Sequence, residues 1–300
     1  MLKYWLIAIR PKTLSIAIVP VLVGSTLAWI QSDTFAWSVL AAALLAAIFI
    51  QAGTNLHNDA ADFERGADCS ATRLGPVRVT AAGWLSAAQV HRGATTSFIL
   101  AALLGSYLIW IGGWPIFIVG VASITAGLAY TGGPRPVAYS SLGEFFVLLF
   151  FGLVAVTGTY YLHTLHLSWS ALIAGALVGM PAAAVLVVNN YRDLDNDKRV
   201  GKNTLAVRLG RRACRVEYAL LMLIPFALLP LLYPLGFAGL GWLLPLLALP
   251  WAFRLIGRFR YETPGPVFNQ LLADTARFQL SFGLLLCLGL LGFQWEIGRM

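Results

Sequence analysis

The chain has 300 residues, is 59% hydrophobic and only 11% charged. Soluble domains carry about 25% charge, and apolar runs of bilayer-spanning length, about 20 residues, recur from end to end. A soluble globular class is therefore excluded. The chain reads as an all-α, multi-pass membrane protein, one domain over 1–300, and its net charge of +8 needs no nucleic-acid partner.

Lys3, Arg10 and Lys12 precede a first apolar run over 14–31. Signal peptides share that arrangement, but no small-residue cleavage site follows, so the run reads as a retained membrane helix. Further spans are expected at 36–56, 94–112, 114–131, 142–162, 169–188, 214–233, 236–253 and 277–295, nine in all, around a central cavity. Gly112-Gly113, Gly132-Gly133-Pro134 and Pro234-Leu235-Gly236 supply the turns between several of them.

Basic residues alternate with the connections. Three sit in the N-terminal segment, four between the second and third spans, and eight between Arg192 and Arg215, whereas alternate connections hold none. Positive residues stay on the cytoplasmic side, which puts the N-terminus inside and the C-terminus outside, in a cell membrane (the inner membrane in a Gram-negative source). Trp29, Trp37, Trp110, Trp114, Trp169, Trp242 and Trp295 fall at the opposite edge, as an aromatic belt does. The cysteines, Cys69, Cys214 and Cys287, read as free thiols.

Seven of the 13 carboxylates crowd into two short segments on the cytoplasmic side. The first runs from Asn55 through Asn58, Asp59, Asp62 and Glu64 to Asp68. The second runs from Asn189 through Asp193 and Asp195 to Asp197. If the helices continue, Asn58 and Asp62 share a face, as do Asn189, Asp193 and Asp197, while Asp195 points away. Like charges at this spacing repel, and helix ends leaving a membrane are an expensive place for them. Mg²⁺, which takes a few carboxylates together with phosphate oxygens, resolves the conflict, and two such clusters facing each other suit a diphosphate. Arg73, Arg78, Arg192, Lys198, Arg199, Lys202 and Arg208 surround them; some answer to topology, others suit phosphate. Arg211, Arg212 and Arg215 are weaker candidates. Ser86 to Gln89 has the form of a capping box and is expected to open a short cytoplasmic helix over the site. His57 reads as a hydrogen-bonded neighbour. Capping and catalysis both suit Glu144.

The motifs resemble the UbiA superfamily of membrane prenyltransferases, most closely its branch acting on 1,4-dihydroxy-2-naphthoate in menaquinone synthesis. The residues are Arg10-Pro11-Lys12-Thr13-Leu14, NDAADFERGAD at 58–68, RLGP at 73–76, AYTGGPRP at 129–136, FFGLVAVTGTYY at 150–161 and NNYRDLDNDKRVGKNTLAVRLG at 189–210. Two departures stand out. Gly66 replaces the aspartate that many members carry eight residues after Asn58, with Asp68 two residues later. Ala138 replaces a lysine found before the position of Tyr139, where Arg135 is a substitute.

The resemblance implies Mg²⁺-dependent transfer of a polyprenyl group from its diphosphate to the naphthoate ring with loss of CO₂. Asn58, Asp62, Asp193 and Asp197 would hold Mg²⁺, together with Asp68. Asp62, Asp193, Arg73 and Tyr130 would carry catalysis. Asn58, Arg73, Arg78, Lys12, Lys202 and Asn189 would bind substrate. Arg73, Arg78 and Tyr130 are the candidates to hold the acceptor's carboxylate or take its proton. No obligate protein partner is expected. The competing readings are another aromatic acceptor, such as hydroxybenzoate or homogentisate, and an ion-coupled transporter.

Overall fold

The protein is described by a computed structural model covering residues 1–67, 74–237 and 239–297. Every regular element in these residues is helical. A short helix α1 (Leu2–Ile9), absent from the sequence expectation, and a 3-10 turn (Pro11–Thr13) lead into α2 (Ser15–Ser32). Then come α3 (Trp37–Glu64), α4 (Ala87–Thr131), α5 (Gly143–Leu148), a π-helical turn (Leu149–Val154) and α6 (Ala155–Thr164). α7 (Trp169–Arg199), α8 (Leu205–Leu228), α9 (Leu249–Tyr261) and α10 (Val267–Ile297) complete the bundle, with 3-10 segments joining α8 to α9.

Eight continuous helical stretches in these residues are long and apolar enough to span a bilayer. The expected ninth lies inside α4, which is two helices. Gly113 breaks it with φ 66° and ψ −152°, a region open essentially to glycine alone. The long-range contacts agree. Tyr107 hydrogen-bonds Ser38 at the start of α3, while His91 and Gly132 both pack against His57 near its end. α4 therefore runs out and returns. The capping box at its start forms as expected, with Ser86 Oγ accepting from Gln89 N and Gln89 Oε1 accepting from Ser86 N. However, it opens the long α4 itself rather than a separate covering helix. The helix runs without interruption from Ala87 through Gly93 into the apolar run.

α7 is the central span: 72% of its apolar window is buried, against 17% for α4. Small residues allow that. Gly152 in the π turn lies so close to Gly175 and Gly179 that a Cβ there would come within 2.5 Å of the Gly175 carbonyl, the close helix approach that small residues permit in membranes. Stacked rings lock the other flank, with Tyr218 on Phe259 at 4.3 Å and Tyr191 on Phe268 at 5.3 Å. Trp29, Trp37, Trp110, Trp114 and Trp169 are exposed, as a belt requires. Cys214 and Cys287 are free and buried; Cys69, Arg299 and the Trp295 side chain lie outside the described residues.

Candidate active site

α3 and α7 do not stop where their apolar runs end. They continue by two to three turns and carry on helix the second acid cluster and the first as far as Glu64. Each then ends in the same way. Gly66 (φ +68°) follows α3, with Ala67 N donating to Asp62 O and Gly66 N to Phe63 O, both at 2.9 Å. Gly201 (φ +75°) follows α7, with Lys202 N donating to Asp197 O at 2.9 Å and Gly201 N to Lys198 O at 3.4 Å. This is the Schellman ending, in which a left-handed glycine lets the next amide reach back to the third-last helical carbonyl. Asp62 and Asp197 occupy that same third-last position, so the two clusters match in structure as well as in composition.

The two carboxylates meet at one ammonium. Lys202 Nζ lies 3.7 Å from Asp62 Oδ1 and 3.9 Å from Asp197 Oδ1. Asp62 also faces Arg78 Nη2 at 3.4 Å and accepts from Tyr139 Oη at 3.2 Å. Tyr139 is a site residue that motif reasoning passed over. Its ring lies under Lys202 Nζ (4.7 Å) and beside the Arg65 guanidinium (5.4 Å), and its carbonyl accepts from Asn203 N at 2.9 Å. Burial, and then the charge of Asp62, push its phenol above its usual pKa, so it stays protonated and donates. A negative side chain at a helix C-terminus opposes the helix dipole. Two of them, both buried, need cations, which explains this gathering.

The other expected residues divide into groups. Asn58 is buried and accepts from the Thr131 hydroxyl. Asp59 is taken up elsewhere: Val79 N, Thr80 N and Thr80 Oγ1 all donate to its carboxylate, so it anchors the segment after the first cluster. Asn189 and Asp193 both accept from Arg192, which is fully buried and also reaches Asn269 Oδ1 at 2.8 Å. Asp195 turns outward to Arg211, and Arg215 caps the Tyr191 hydroxyl, so these residues hold α8 on α7. Lys12 is exposed in its 3-10 turn, and no hydrogen bond or ion pair of the described residues joins it to either cluster. Tyr130 lies within electrostatic reach of Glu144, Asp62 and Asp197. Asp68 and Arg73 lie outside the described residues. Glu144 stands in the first turn of α5, as expected, and it is also buried and accepts from Asn190 Nδ2 at 2.7 Å. Its partner stands 46 positions away, beyond the reach of any local pattern.

Among the described residues, no three His, Cys, Asp or Glu side chains converge tightly enough to form a metal site unaided. The donors are instead hard oxygens contributed in small numbers by two helix ends. That set fits Mg²⁺, which keeps waters and phosphate oxygens in its shell, better than it fits a closed protein cage. Two cavities, of about 390 and 500 Å³, lie elsewhere, the first lined by Leu240, Leu247 and Leu288 and the second by Gln31, Tyr160 and Ser168.

The sequence matches the UbiA prenyltransferase family over residues 17–282. It is 35% identical to the 1,4-dihydroxy-2-naphthoate octaprenyltransferase of Escherichia coli, over 97% of this chain and 96% of that one. It is 36% identical to the protein of the same description from Mycobacterium tuberculosis, over 93% and 94%. In fold it resembles a UbiA homolog from Archaeoglobus fulgidus, solved with GPP and Mg²⁺, with a TM-score of 0.69 and 16% identity over 94% of this chain and 99% of that one. The chain is a multi-pass membrane prenyltransferase and belongs to the UbiA prenyltransferase family.

Proposed function

We propose that this protein transfers a polyprenyl group from polyprenyl diphosphate to 1,4-dihydroxy-2-naphthoate, with loss of CO₂, to give a demethylmenaquinol. The observation that carries the reading is the meeting of Asp62 and Asp197, 135 positions apart in sequence, on the Lys202 ammonium. Relatives described as naphthoate octaprenyltransferases, aligned over nearly the whole chain, support the acceptor. The excess of basic residues at this end of the bundle supports a cytoplasmic-facing site in the cell membrane.

Asn58, Asp62, Asp193 and Asp197, with Asp68, are the residues that would hold Mg²⁺. Bound there, the ion supplies Lewis-acid stabilisation of a departing diphosphate. Lys202 and Arg78 bring fixed positive charge to the place where the leaving group's negative charge grows, with Arg73 a further candidate. Tyr139 orients Asp62 through its hydroxyl. Tyr130, beneath the carboxylates, borders the space for the allylic carbon and the ring. Buried helix faces keep water from the electron-poor carbon while the ring carbon attacks.

Purified protein given Mg²⁺, a polyprenyl diphosphate and a panel of aromatic acid acceptors tests the reading by product mass. Prenylated, decarboxylated naphthoquinol is the expected product. Turnover confined to hydroxybenzoate or homogentisate would reassign the acceptor, and no turnover with any acceptor would refute the reading.

A further inference from the structure

The matched helix ends extend deeper than the aspartates. Asn55 stands seven residues before Asp62, and Asn190 stands seven before Asp197. Each therefore lies on its carboxylate's own helix stripe, about two turns or ~10 Å further into the bundle. Their partners differ. Asn55 Nδ2 donates to a backbone carbonyl, Ile9 O, at 2.9 Å. Asn190 Nδ2 donates to Glu144 Oε1 at 2.7 Å. In the first cluster a neutral carbonyl satisfies the amide. In the second a carboxylate is buried at membrane depth to do the same, at a far higher desolvation cost.

Glu144 is 7% exposed, and its second oxygen, Oε2, is buried with no hydrogen-bond partner among the described residues. A glutamate serving only to hold Asn190 would satisfy both oxygens. Around it lie Leu186, on the same α7 stripe, and Tyr130. A Cβ on Gly143 would stand 3.1 Å from Leu186 Cδ2 and 3.9 Å from Tyr130 Oη, so this glycine lets both approach the glutamate's backbone. Glu217 and Cys214 of α8 are the other titratable groups that feel its charge. Tyr130 lies within electrostatic reach of Glu144 and of both Asp62 and Asp197.

We propose that Glu144 is a catalytic residue of the acceptor half-site, whose Oε2 receives the hydroxyl proton of the aromatic acceptor. The inference rests on the prenyl-transfer reading above. Donor diphosphate sits at the level of Asp62 and Asp197, and the ring lies below it with a hydroxyl on Glu144. As the ring O–H bond breaks, its proton passes to Oε2 and its electron pair flows into the ring. The carboxylate-bearing ring carbon then bonds to the allylic carbon, and the allylic C–O bond breaks with its electrons leaving on diphosphate. The product of that step is a β-keto acid. Its C–CO₂ bond breaks, the electrons return to the ring oxygen, and that oxygen takes the proton back from Glu144. The residue ends each cycle ionised, and no oxidant or further base is needed.

The test compares wild type, Glu144→Gln and Glu144→Asp as purified proteins, each first shown to be folded by thermal melting. General-base catalysis is worth about 100-fold or more. Glu144→Gln should therefore lose about 100-fold or more in kcat with dihydroxynaphthoate, with donor KM unchanged. Mg²⁺-dependent release of diphosphate from donor alone should also be unchanged. Naphthoate analogues with more acidic hydroxyls should recover part of the loss, and Glu144→Asp should sit between the two. A wild-type rate in Glu144→Gln would overturn the assignment, as would an equal loss with every analogue accompanied by loss of donor cleavage. If Glu144→Gln does not fold, Glu144→Asp alone decides: its rate must depend more steeply on acceptor acidity than the wild-type rate does, and an unchanged slope overturns the assignment. A wild-type enzyme silent with every aromatic acceptor would remove the transfer reading itself, and this inference with it.

Discussion

Replacing Lys202 by methionine removes the one ammonium shared by Asp62 and Asp197. At an effective dielectric of about 20, each contact, 3.7 and 3.9 Å long, carries roughly 4 kcal/mol before desolvation. Removing one partner of a buried pair costs about 3–5 kcal/mol net, because the opposite charge is left behind. Arg78 and Tyr139 remain on Asp62, which puts the expected loss at the lower end, about 3 kcal/mol. For a chain of 300 residues that is roughly 5 °C in melting temperature. Detergent-solubilised protein melted in chelator should show the drop. Millimolar Mg²⁺ should restore more stability to the variant than to wild type, since in wild type the lysine already stands between the carboxylates. The donor KM should rise as well. If Lys202→Met melts like wild type in chelator, or if Mg²⁺ shifts both proteins equally, the bridging account is wrong.

Asp62→Asn should abolish Mg²⁺-dependent transfer while leaving folded protein in the membrane, whereas Asp195→Asn, which loses an exposed pair with Arg211, should cost under about 1 kcal/mol in stability and little activity; product formation per folded enzyme separates them. Asp59→Ala should act on stability instead. It strands the Val79 and Thr80 amides, each worth about 1–3 kcal/mol when unsatisfied, and Mg²⁺ should not rescue the lowered melting temperature. Gly113→Ala puts a side chain at φ 66°, ψ −152° and should lower stability by about 1–3 kcal/mol with donor KM unaltered, as read from melting and initial rates.

Most of the bundle was legible because its signal is local. Apolar length finds a span, and charge finds the end it leaves by. The element missed outright was α1, whose eight residues are too few to register as a span. Boundaries ran short for α3 and α7 because hydropathy falls where the acids begin, although the backbone continues helically through them. Within the site, Asp62 and Asp197 were legible from spacing alone. Tyr139 was not, since it reaches Asp62 from a 3-10 turn 77 positions away. Arg192 read as one more cytoplasmic cation, although the structure buries it completely among Asn189, Asp193 and Asn269.

The repeated helix ending also explains the departure at Gly66. By spacing, that residue stands where many family members place an aspartate, which suggests a missing ligand. In the folded chain it is the left-handed residue that ends α3, four positions after Asp62, as Gly201 is four positions after Asp197. Asn58, Asp62 and Gly66 thus correspond in position to Asp193, Asp197 and Gly201, two polar side chains and a stop in each cluster. The first helix end is built like the second. A pair of three-part units facing each other offers one acidic residue at each helix terminus and one polar residue a turn deeper. In the function proposed above, these two helix ends would hold the diphosphate from both sides, with Lys202 between Asp62 and Asp197.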